Sequence, residues 1–153
     1  MRYLPLILLL VVTACASPSG LVSSPQTGLN GQYTSQVVIS DHPHHVLMGH
    51  LITVDRNGTR SHALIIAHRR DGVHRLRMAQ AWSNGTELPF TATTLQLDGC
   101  THGHCRDSAI GIVTLSDGLL AMARREGLSA RLTGRSDAVD IHVPARLFQS
   151  LPD

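Results

Sequence analysis

Two short stretches of this chain concentrate the residue types that could do chemistry. One is Asp41-His42-Pro43-His44-His45, with His50 just beyond it; the other is Cys100-Thr101-His102-Gly103-His104-Cys105. Histidine is over-used, with 10 among 153 residues. Neutral imidazole is a good ligand for borderline ions, so His42, His44, His45, His102 and His104 are candidate ligands for zinc or copper. The competing reading is compositional: the chain has no Lys, and Arg and His stand in as its polar residues. Short His tracts are compositional signals only. The two cysteines add ligand types that zinc prefers. Ligands this close in sequence are strained around one tetrahedral ion, and common zinc modules use separated pairs. A disulfide between Cys100 and Cys105 is the simpler expectation in an oxidising compartment, with Gly103 easing the turn. Its short loop removes little chain entropy.

Other chemistry finds little to work with. There is no Gly-x-Ser-x-Gly elbow and no His-Glu-x-x-His helix. Glu87 and Glu126 are the only glutamates, which disfavours a paired-Glu glycosidase site. No Gly-rich loop precedes a helix to cradle phosphate. A net charge of +2 and 3% aromatic residues argue against a nucleic-acid binder, which needs a basic stripe and stacking platforms. The expectation is therefore a non-enzymatic protein, with no catalytic residue assigned.

The N-terminus reads as an export signal. Arg2 supplies a positive start, and Leu4 to Val12 is an apolar run broken only by Pro5. That run is too short to cross a bilayer core, which needs ~20 apolar residues. The string Val12-Thr13-Ala14-Cys15 then resembles the lipobox of bacterial lipoproteins. The resemblance implies cleavage before Cys15, diacylglyceryl attachment to its thiol and acylation of the new amine. Two or three acyl chains hold a protein stably on a membrane. Ala16, rather than Asp, after the cysteine implies by the same resemblance an outer-membrane location facing the periplasm. Residues 1–14 are then the signal, 15–31 the lipidated cysteine with a Ser-, Pro- and Gly-rich tether, and 32–153 a single domain.

Turn signals divide that domain. Asn57-Gly58, Asp71-Gly72, Asn84-Gly85 and Asp98-Gly99 suit tight hairpins, because their residues tolerate positive φ. Strands are expected near 34–39, 45–55, 60–68, 73–82 and 89–97, in an antiparallel meander. Leu76, Met78 and Trp82 fall on one face by alternation. The 45–55 segment is apolar on both faces. After the Cys loop, residues 109–115 read as a strand. Ser116-Asp117 starts a helix, Arg124-Arg125 suit its C-terminal dipole and Gly127 ends it. Two further strands (128–133, 138–143) and a short helix after Pro144 complete the chain. The fold class expected is mainly β: a small antiparallel β-sandwich or barrel-like meander with one or two short helices.

The Cys100–Cys105 region, the strand and helix after it, and the strings Gly-Leu-Ser-Ala-Arg-Leu-Thr-Gly and Val-Asp-Ile-His-Val-Pro are similar to the periplasmic invasion-associated locus B proteins. That likeness covers about a third of the chain. It implies a small secreted β-rich domain with a disulfide, and it transfers no catalytic residue. The sequence therefore points to a lipid-anchored envelope protein that binds another envelope component or assists an assembly. The alternative is a periplasmic metal-binding protein using the His cluster.

Overall fold

The computed structural model describes residues 19–24, 29–40, 42–69, 76–96, 107–135 and 137–151. The expectations for residues 1–14, Cys15, the Asp71-Gly72 and Asp98-Gly99 turns, Cys100, His102, His104 and Cys105 lie outside the described residues. The chain forms β1 (Gly20–Ser24), β2 (Leu29–Tyr33), β3 (Val37–Val38), β4 (Val46–Arg56) and β5 (Thr59–Arg69). It continues through β6 (Met78–Ser83), β7 (Thr86–Glu87), β8 (Phe90–Gln96) and β9 (Asp107–Leu115). Helix α1 (Asp117–Glu126), β10 (Leu128–Gly134), β11 (Ala138–Val143) and helix α2 (Ala145–Gln149) follow.

Local chemistry explains the tightest joints. Asn57 and Gly58 have φ of 54° and 80°, and Asn84 and Gly85 have 48° and 78°. Positive φ at both central positions matches the twist of the flanking strands. These turns join β4 to β5 and β6 to β7. The Ser116 side chain accepts from the Leu119 N–H at 3.3 Å and caps α1. Gly127, at φ 80°, ends the helix.

All strand pairings are antiparallel, in two sheets. The larger has the order β1-β2-β4-β5-β9-β8, with β3 also on β4; the smaller is β11-β10-β6-β7. The sheets are tied at two corners. Ile39 donates its N–H to Leu47 O at 2.9 Å, and its carbonyl accepts from His142 N at 2.8 Å, joining β4 to β11. On the other side, Leu88 N donates to Ala81 O at 2.8 Å, and Thr114 N donates to Pro89 O at 3.0 Å. The chain thus passes from β7 in one sheet to β8 in the other, as strands that switch sheets do at sandwich corners.

The core lies between the sheets. Leu47, Leu51, Leu64, Ile66 and Val113 from the larger sheet are fully buried, as are Leu132, Val139 and Val143 from the smaller. Phe148 of α2 completes it with no exposed surface. β10 and β11 alternate buried and exposed residues, as one-face-buried strands should. On the far face of the larger sheet Met48, Ile52, Val54, Ile65, Ile110 and Ile112 are half-buried. This accounts for the apolar character of both faces of the 45–55 segment.

The chain adopts the mainly β, sandwich-like class expected from sequence; the described residues hold two short helices and no closed barrel. Three details differ. The stretch expected as tether to Gly31 contains β1 and β2, paired from Gly20↔Tyr33 to Ser24↔Leu29. Its Ser, Gly, Asn and Gln residues carry little strand propensity. β2 is held instead by the β4 backbone, from Leu29↔Arg56 to Tyr33↔Ile52. Second, the meander is broken: β5 pairs with β9, and β6 leaves for the smaller sheet. Third, Trp82 does not share a face with Met78. The register shifts beside Gly134, where Thr133↔Gln80 is followed by Gly134↔Met78. The bulge at Ala79 turns Ala81 into the core and Trp82 outward.

A Cβ on Gly111 would lie 2.6 Å from the Phe90 ring. Gly111→Ala is expected to lower unfolding stability by about 1–3 kcal/mol through overpacking. Phe90→Leu in the same chain should recover part of that loss, read as urea midpoints.

Candidate functional site

The histidine tract folds into a tight turn at one end of the larger sheet. His42 and His45 face each other as an isolated antiparallel bridge, with His45 N donating to His42 O at 3.2 Å. His42 N donates to Ser40 Oγ at 3.2 Å, and His44 N donates to His42 Nδ1 at 3.2 Å. The ring of His42 stacks on that of His45, with centroids 4.9 Å apart and 26° between planes. His44, exposed, meets His42 edge-on at 5.9 Å.

The fourth imidazole comes from 23 residues away. Pairing of β4 with β5 sets Leu47 opposite His68. His45 shares the face of Leu47, two residues along, and His68 shares the face of Leu64 and Ile66. His45 Nδ1 and His68 Nε2 therefore meet at 3.3 Å, and each residue is only 5% exposed. Their rings tilt at 55° with centroids 5.2 Å apart.

That spacing has two chemical meanings. One neutral ring can donate to the other, with the tautomers chosen accordingly. Equally, two nitrogens ~2.0–2.1 Å from one tetrahedral zinc stand about 3.3–3.4 Å apart. Among the described residues no three His, Cys, Asp or Glu side chains are grouped to hold one ion. The pair thus offers two ligands. Of the residues expected from sequence, the structure brings His42, His44 and His45 together. It adds His68, which lies outside both of the histidine-bearing stretches. The signal was available in its even spacing from Leu64 and Ile66. The end of β8 and the start of β9, paired as Gln96↔Asp107, lie at this same end of the sheet.

The other described histidines, His50, His62 and His142, sit elsewhere. His50, half-buried on the far face of β4, has its pKa lowered by burial, and its Nδ1 has no hydrogen-bond partner among the described residues. His62 shares a 2.9 Å hydrogen bond with Thr53 Oγ1. Burial lowers its pKa most, Arg60 and Arg124 add to that, and Asp117 opposes. His142 Nδ1 meets Ser129 Oγ at 3.0 Å on the exposed face of the smaller sheet. Among the described residues neither of these hydroxyl–imidazole pairs has a carboxylate hydrogen-bonded to its ring, so neither has the third group of a triad. Asp140, the nearest acid to the second pair along the strand, is held at 2.7 Å by Arg131, whose hydrogen bond keeps its carboxyl below the usual range. The same face carries an open groove of about 770 Å³ lined by Val38, Trp82, Asn84, Ser129 and Arg131.

No family model, no curated protein and no solved structure matches this chain.

A lowered folded-state pKa means that the folded protein binds fewer protons than the unfolded chain at His50 and His62. Stability is then expected to fall as pH drops through the unfolded value near 6.5, and to level off below the lowered folded values. Urea midpoints between about pH 7.5 and 5.5 measure this, and His50→Met should flatten the slope.

Proposed function

We propose that this chain is a lipid-anchored envelope protein, acylated on Cys15, whose β domain binds a ligand and catalyses no reaction. The lipobox Val12-Thr13-Ala14-Cys15 supports the anchor, and Ala16 supports the outer membrane facing the periplasm. A Cys100–Cys105 disulfide accords with that compartment. A borderline divalent ion, zinc or copper, is the ligand best matched to the chemistry of the site. The observation that carries this reading is the approach of His45 Nδ1 to His68 Nε2 at 3.3 Å with both rings buried. Imidazole nitrogens already buried and held at ligand spacing lose little further freedom when an ion joins them. Among the described residues His42, stacked on His45, and His44, edge-on to His42, are the nearest additional imidazoles. His102 and His104 belong to the same proposed set by residue type alone.

The second reading is a protein partner from the envelope. The groove on the smaller sheet favours it, because a tryptophan and an exposed Val38 line it beside the Arg131–Asp140 ion pair.

The full chain, extracted in detergent without chelator, should carry zinc or copper in native mass spectra. His45→Gln and His68→Gln should each weaken binding by at least about tenfold, and the double variant should abolish it. A chain free of metal, and unchanged in affinity by these replacements, would move the assignment to the protein partner. A free-thiol count on the same sample reads the Cys100–Cys105 pair.

A further inference from the structure

The described chain starts very close to the proposed anchor. β1 begins at Gly20, five residues after Cys15. Fully extended, five residues span at most about 17 Å. A mature domain of this length is roughly 35 Å across, from the scaling of radius of gyration with chain length. The connection is therefore shorter than the domain is wide. If Cys15 is acylated, its position at the lipid interface fixes which part of the domain faces the bilayer. That part is the edge of the larger sheet, where β1 is the outermost strand.

The residues at this edge suit such a surface. Leu21 is 83% exposed, the most exposed large apolar side chain among the described residues. It stands in the cross-strand row Leu21, Gln32, Thr53, His62, outside the core to which that row leads. Two shallow depressions meet at Leu21. One is lined by Arg146 of α2 with Tyr33 and Ser150. The other is lined by Arg60 with Asp55, whose carboxylate accepts from the Gly58 N–H in the β4–β5 turn. An apolar side chain between two exposed arginines is the arrangement of an interfacial contact. The leucine enters the acyl boundary while the guanidinium groups reach phosphates. The lipid surface would also cover the outer backbone edge of β1, which pairs with no further strand among the described residues.

We infer that the β1 edge, with Leu21 at its centre and Arg60 and Arg146 beside it, lies against the phospholipid surface and fixes the orientation of the domain on the membrane. The inference rests on the lipoprotein reading above. It leaves the histidine turn and the groove of the smaller sheet, on other parts of the molecule, open to the aqueous side.

The test uses the full lipidated chain reconstituted into vesicles of phosphatidylethanolamine with phosphatidylglycerol. Trp82 is the only tryptophan, so the native chain reports from the smaller sheet. Leu21→Trp combined with Trp82→Phe moves the reporter to β1. Lipids brominated near the headgroup should quench the relocated indole several-fold more strongly than native Trp82, and its emission should shift to the blue. Adding Arg60→Glu and Arg146→Glu should reduce that quenching. Intact mass on the same sample reads acylation of Cys15. Acylated protein with equal, weak quenching at both reporters would overturn the orientation and leave the anchor standing. Protein without acyl mass would overturn both.

Discussion

The hairpin of β4 and β5 is the constraint on which the rest depends. Its two strands pair over their full 11 residues each, from Arg56↔Thr59 at the turn to Val46↔Arg69 at the far end. Strand side chains alternate, so a slip of one residue would carry a whole apolar set to the wrong face. Leu47, Leu51, Leu64 and Ile66, all fully buried, would leave the core together. The Asn57-Gly58 turn prevents the slip, because its two positive φ values admit only one pairing of the flanking residues. The same register places His68 beside His45. Core and candidate site are consequences of one alignment.

Each end of that hairpin then meets a different problem. Near the turn, Thr53 and His62 lie on the core face and satisfy one another, which lets polar side chains sit where the sheet meets α1. At the far end, His45 and His68 are nearly as buried as the leucines. Buried polar atoms are costly unless paired. An imidazole pair meets that requirement and keeps a chemical capacity that two leucines would not have. The corner residue Ile39 fixes the neighbourhood, since it bonds β4 through its N–H and β11 through its carbonyl. The turn that bears His42 and His44 follows directly from this tie.

Short segments of the chain carried their own instructions, and these were legible. The Asn-Gly turns, the Ser116 cap and the alternation in β10 and β11 depend on neighbours in sequence, and the structure places them as the pattern implies. β1 and β2 were not legible. Gly20, Asn30, Gly31 and Gln32 suit a tether by composition, and they become strand because β4 offers an open edge to pair with. Trp82 was misplaced for a related reason: the bulge opposite Gly134 is a property of two strands distant in sequence.

The sequence by itself determined the mainly β class, the two Asn-Gly hairpin turns, the limits of α1 and the concentration of imidazole between His42 and His45. These follow from φ preferences, capping chemistry and residue counts, which act over a few positions. Only the tertiary structure decided which histidine joins that turn, which sheet each strand enters and where the chain comes closest to its proposed anchor. Those outcomes depend on pairing between strands far apart in the chain, and no local preference of His68, β6 or Leu21 encodes them.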